Sequence, residues 1–182
     1  MSTKVEETTG TWKSGAVTIA CVLIVALSLT WTYLSMRAVM NVGGSCADGG
    51  PYVSAQPCPD GSILIAAAVP MLIIFSMIGT VSAGLTGAPN LLVPMWGVLF
   101  GSLGWNFLEF AFKGPDLSIS WLVCGVMFWA MALPAFVFMV GGLRQSLAKP
   151  GGGRSWMWLP AYGVLGAVGL FLGWASFVAV AN

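Results

Sequence analysis

The stretch from Ser14 to Met36, SGAVTIACVLIVALSLTWTYLSM, holds 23 residues without one charged side chain, and its reading decides the fold. A helix rises about 1.5 Å per residue and the hydrocarbon core of a bilayer is about 30 Å thick, so roughly 20 mainly apolar residues cross it. This stretch is long enough to do so. A cleaved secretory leader is the rival reading. Its apolar core is usually about 7 to 15 residues and ends at a small-residue A-x-A site, and neither feature is present. Four further stretches meet the same requirement, at about 62–85, 91–112, 118–142 and 156–180. The expected fold is therefore all-α: a polytopic membrane protein whose residues 14–182 form one bundle of five transmembrane helices. Prolines at 70, 94, 134 and 160 are compatible with it, because neighbouring helices satisfy freed backbone groups within a membrane bundle. Kinks are expected at Pro70 and Pro134.

Composition agrees with a lipid environment. Hydrophobic residues make up 58% of the 182 and charged residues only 7%, against about 25% charged in soluble domains. Too few ionised side chains remain to cover a water-facing surface. The net charge of +1 offers no basic face for nucleic acid. The chain has no histidine, so bis-histidine haem ligation, HExxH zinc sites and histidine base catalysis cannot be built from it. No cofactor, metal site or catalytic residue is expected.

The connections set the orientation. Residues 1–13, MSTKVEETTGTWK, read as a polar, disordered cytoplasmic tail. Lys4, Lys13, Arg144, Lys149 and Arg154 fall on the N-terminal side of the bilayer, whereas only Arg37 and Lys113 fall on the other. Basic loops stay in the cytoplasm, so the N-terminus is expected inside and the C-terminus outside. Most tryptophans, at 12, 31, 105, 121, 156, 158 and 174, lie near expected span ends, as interfacial anchors do. Between spans two and three, TGAPN is a tight uncharged turn, and LRQSLAKPGGGRS between spans four and five is a basic linker. Its GGGR string lacks the GxxxxGK[ST] pattern of a phosphate cradle. Its cations suit anionic headgroups.

The one sizeable loop, 41–61, contains Cys46 and Cys58 in GGSCADGGPYVSAQPCPDG. It lies on the expected outer, oxidising side, where disulfides persist. A Cys46–Cys58 bridge is the favoured reading; free thiols are the alternative, and two cysteines without histidine do not complete a zinc tetrahedron. Cys21 and Cys124 lie inside spans and read as small packing residues.

Lipid does not drive helices together, so small-residue stripes and polar contacts mark where they meet. In span one, Thr18, Cys21, Val25, Ser28, Thr32 and Ser35 recur at alternating steps of three and four. In span five, Gly166, Gly169, Gly173 and Ser176 do likewise, with Tyr162 one turn earlier. These two stripes are expected to pack on each other. Span three carries a Gly97–Gly101 GxxxG step and, about 100° around the helix, the polar stripe Ser102, Asn106 and Glu109. Glu109 is the one acidic residue inside an expected span, which makes it a functional candidate by default. It sits about one turn from the outer surface, within reach of Arg37 at the end of span one, and an ion pair between them is the favoured role.

The string Cys46-Ala-Asp-Gly-Gly-Pro-Tyr-Val53, closed by Cys58-Pro-Asp-Gly61, resembles a signature of small, uncharacterised multi-span membrane proteins of actinobacteria. The resemblance implies a bacterial plasma membrane and an outer disulfide loop, with no catalytic residues to carry over. Small size, small-residue seams and little intramembrane charge point to an accessory, assembly or scaffolding subunit with protein partners in the membrane. A small-solute or ion transporter using Glu109 and Asn106 is the second reading, and an intramembrane enzyme the third.

Overall fold

A computed structural model describes residues 3–46, 57–148 and 153–181, with side-chain surroundings described for 13–46, 57–144 and 158–181. The chain is a polytopic, all-α membrane protein of five helices, and no strand occurs among the described residues: α1 Thr3–Asn41, α2 Leu64–Thr86, α3 Leu92–Ala111, α4 Ile119–Ala148 and α5 Gly153–Ala181. Four segments, Lys13–Asn41, Leu64–Thr86, Ile119–Arg144 and Trp158–Ala181, are long and apolar enough to cross a membrane. α3, at 20 residues, is shorter but still covers roughly 30 Å, and Asn106, Glu109, two tryptophans and three glycines lower its apolar character. It lies inside the bundle, with α1 and α2 on one side and α4 on the other.

Three boundaries differ clearly from the expectation, among them the end of α1, which runs five residues past Met36 to Asn41. α1 starts at Thr3, inside the segment read as a disordered tail. The costly nucleus of that helix is already supplied by the apolar stretch beyond Ser14, so each residue added upstream gains a hydrogen bond cheaply. α4 likewise continues to Ala148, into the expected linker. Residues 149–152 and 47–56 of the linker and the outer loop lie outside the described residues. α2, α4 and α5 run through Pro70, Pro134 and Pro160 without interruption.

The α2–α3 turn is fixed locally. Gly87 closes α2 with φ 72°, a left-handed conformation that costs an L side chain strain. Gly87 and Ala88 both donate backbone N–H groups to the Ala83 carbonyl, the latter at 2.9 Å. Asn90 Oδ1 then accepts the Leu92 N–H at 2.7 Å, satisfying one of the orphan donors at the start of α3. Tyr162 of α5 donates its hydroxyl to the Pro89 carbonyl at 2.9 Å and pins the turn from outside.

α1 is the centre of the bundle. Its hydroxyl-bearing seam is buried: Thr18, Ser28 and Ser35 are 0% exposed and Thr32 4%. This seam faces α2. Thr18 donates to Ser82 at 3.0 Å, and Cys21 abuts Gly79 so closely that a Cβ there would stand 2.9 Å from the Cys21 Cβ. Around the seam a core forms from Cys21, Val22, Val25, Leu29, Leu72, Leu91 and Met95.

The expected pairing of the span-one seam with the span-five glycines is not what the structure contains. Gly169 and Gly173 are buried against the other side of α1, where a Cβ would meet the Leu23 carbonyl and Ala26 at 2.7 Å, or Thr30 at 2.7 Å and the Leu27 carbonyl at 2.8 Å. Residues 23, 26, 27 and 30 make a second helical stripe, well over 100° from the seam. A central helix needs two such faces, one for each neighbour. Gly166 takes no part, with nothing within 4 Å of an added Cβ.

α4 is attached through α3. Gly97, Gly101 and Gly104 of α3 meet Ala135, Phe136, Ala132 and Trp129 of α4, and Gly125 of α4 receives Leu108. The away-facing side is apolar and open, with Leu133, Val137 and Phe138 among its exposed residues. Cys124 is exposed too, whereas Cys21 is buried, so only one of these cysteines packs between helices.

Candidate functional site

The functional candidates of the sequence converge at one end of the bundle, where α1, α3 and α5 finish and α2 and α4 begin. Arg37, near the C-terminal end of α1, donates to both carboxylate oxygens of Glu109 on α3, Nη1 to Oε2 at 2.7 Å and Nη2 to Oε1 at 2.5 Å. This fork geometry matches the planar guanidinium to the planar carboxylate. Both side chains remain about one-third exposed, and Glu109 lies in the last turn of α3, which ends at Ala111. Solvent or headgroups reach the pair and screen it.

Asn106, one turn deeper on α3, is fully buried. Its Oδ1 accepts from Arg37 Nη1 at 3.2 Å, and its Nδ2 donates to the Tyr33 backbone carbonyl at 3.4 Å. The Tyr33 hydroxyl accepts from Arg37 Nη1 at 3.3 Å. Tyr33 did not stand out in the sequence. Its position four residues before Arg37, on the same face of a helix, is the signal that would have found it. Ser102 stands apart: its hydroxyl donates to the Leu99 carbonyl on its own helix, 3.0 Å away.

An aromatic wall encloses the polar group. The Phe110 ring lies 4.6 Å from Lys113 Nζ and 6.0 Å from the Arg37 guanidinium carbon, distances at which a ring face attracts a cation. Lys113 also donates to Asn41 Oδ1 at 3.0 Å, a second tie between the ends of α1 and α3. Trp121 of α4 packs on Phe107 and Phe110. It also covers Gly44, where an added Cβ would lie 2.5 Å from the indole.

The same end carries the disulfide. Cys46 and Cys58 are bonded, with their Cα atoms 4.9 Å apart and a sequence separation of 12. Just beyond, Ser35 of α1 donates to the Gly61 carbonyl at 3.2 Å. Gly61, at φ 82°, lies against Phe177 of α5, where a Cβ would stand 3.0 Å from the ring. The disulfide segment is thus anchored to α1, α4 and α5.

The arrangement holds helices in register. Among the described residues no group of three or more potential metal ligands occurs. Comparison of the chain with protein-family models, with curated proteins and with solved structures finds no match.

Proposed function

We propose that this protein is an accessory or assembly subunit that holds partner membrane proteins against its own helices. The observation carrying the reading is the division of labour among polar and small residues. Arg37, Glu109, Asn106, Thr18 and Ser82 bond to one another across helices, while Gly84 on α2 and Gly163 on α5 face outward with nothing within 4 Å of an added Cβ. Exposed glycines on membrane helices allow a further helix to approach closely. The transporter reading draws less support, since both oxygens of Glu109 are engaged by Arg37.

The membrane is a bacterial plasma membrane, the compartment implied by the loop signature around Cys46 and Cys58. The N-terminus faces the cytoplasm and the C-terminus the outside. The disulfide end supports this orientation because it suits the oxidising side, while Lys13 and Arg144 lie at the opposite end. Affinity purification from native membranes in mild detergent tests the function. A defined set of membrane proteins is expected to co-purify with the chain and to be lost on Gly84→Leu or Gly163→Leu. Recovery of the chain alone, as a monomer, contradicts the proposal. Reporter fusions at the two termini test the orientation.

A further inference from the structure

Near its C-terminal end α4 carries an open groove of about 380 Å³ lined by Phe136, Val137, Val140, Gly141 and Arg144. These positions follow the spacing i, i+1, i+4, i+5, i+8, so the groove is a single stripe running along the helix axis. From Phe136 to Arg144 the stripe climbs about 12 Å. Gly141 makes the hollow: it has no side chain, and nothing lies within 4 Å of where its Cβ would be. Phe136 forms a wall whose ring also lies against Gly97 and Gly101 of α3. Val137 and Val140 are open to the surroundings at 64% and 50% exposure.

Arg144 closes the stripe, two residues past the apolar stretch 118–142 and within α4, which runs on to Ala148. It makes no ion pair among the described residues. An apolar stripe along an exposed helix face, ending at a cation just past the apolar stretch and without an ion-pair partner among the described residues, has the shape and charge of one ligand class. The geometry points to an anionic phospholipid held on α4, with one acyl chain along Phe136, Val137, Val140 and Gly141 and its headgroup phosphate on Arg144. A guanidinium suits this role because its fork of N–H donors matches phosphate oxygens. The apolar stripe supplies contact area for any acyl chain, and Arg144 supplies the preference for a headgroup carrying net negative charge.

Native mass spectrometry of the full chain tests this, after exchange into detergent containing equal amounts of phosphatidylglycerol and phosphatidylcholine with identical acyl chains. The intact protein is expected to retain one phosphatidylglycerol with about a fivefold preference, the ratio expected for one basic side chain beside an anionic headgroup. Arg144→Gln brings the ratio to about one. Gly141→Leu, which fills the hollow, lowers retention of both lipids. Lys113→Gln removes a cation at the opposite end and leaves the preference intact, which separates a local site from an effect of net charge. Equal retention of both lipids by the unaltered protein, or an undiminished preference in Arg144→Gln, overturns the assignment. So does efficient disulfide cross-linking of Val137→Cys between two copies in the membrane, because a second chain would then cover the groove.

Discussion

α1 and α4 are similarly apolar along their membrane-crossing stretches, yet nearly half of the most apolar window of α1 is buried and less than a fifth of that of α4. In water such a difference would follow hydrophobicity. Here it follows side-chain size and hydrogen bonding, because lipid solvates leucine as well as a protein core does. α1 places Thr18, Cys21, Ser28 and Thr32 on one side and Leu23, Ala26, Leu27 and Thr30 on the other, and each side has a helix against it. α4 places Gly125, Ala132 and Ala135 against α3 and leaves Leu133, Val137 and Phe138 in the open. On α4, small residues mark the contact with α3 and large ones the exposed face.

That contrast is exposed to direct tests. Gly169→Leu or Gly173→Leu is expected to have the largest effect, because the new side chain meets α1 backbone oxygens that cannot move aside. A loss of about 3 kcal/mol or more is expected, read as early thermal aggregation in detergent. Gly163→Leu on the same helix, with open space beside it, should change stability by no more than about 0.5 kcal/mol. An equal loss in both would break the distinction.

Replacing Cys46 and Cys58 together by serine opens a link with a sequence separation of 12. The expected cost is about 3 kcal/mol by the chain-entropy estimate. Chemical unfolding with and without reductant measures it, and only the unaltered protein should respond to reductant.

On the α3–α4 side, Gly104→Leu places a side chain against the Gly125 carbonyl and Trp129 and should cost about 1–3 kcal/mol. Leu133→Ala, at a position 59% exposed, should leave the melting temperature unchanged within a degree or so. A large loss at Leu133 would show that this face of α4 is covered in the membrane.

The smallest effect belongs to the ion pair. Arg37→Gln and Glu109→Gln are each expected to lower the melting temperature by a few degrees, since both side chains are partly exposed and screened. The double variant should be little worse than either single one, because the two residues act as a pair. Strictly additive losses would mean that they stabilise the fold through different partners.

Much of this was legible in the sequence because the membrane restricts the choices. A chain in lipid must satisfy its backbone within each segment, so apolar length by itself specifies helices. The Gly97–Gly101 step and the Ser28–Thr32 seam were readable as contact faces for the same reason. What they contact was not readable, since a stripe of small residues fits any other such stripe. The span-five glycines were therefore assigned to the wrong side of α1. In the polar cluster, Arg37 and Glu109 stood out as charges, whereas Tyr33, Phe110 and Trp121 did not, because aromatic residues near span ends are common without any such role. The start of α1 at Thr3 is not legible from composition, which describes an isolated segment, while the helix it joins is already nucleated.

The sequence by itself determined that this chain is a helical membrane protein and that Glu109 is an unusual residue for its setting. The physical reason is that the cost of placing polar groups in hydrocarbon is local and can be summed along the chain. Only the tertiary structure decided that α1 is central, that α4 is tethered through α3, and that Glu109, Asn106 and Tyr33 gather on the Arg37 guanidinium. Those outcomes depend on which small-residue face approaches which neighbour, and close packing is a property of pairs of helices that no single segment encodes.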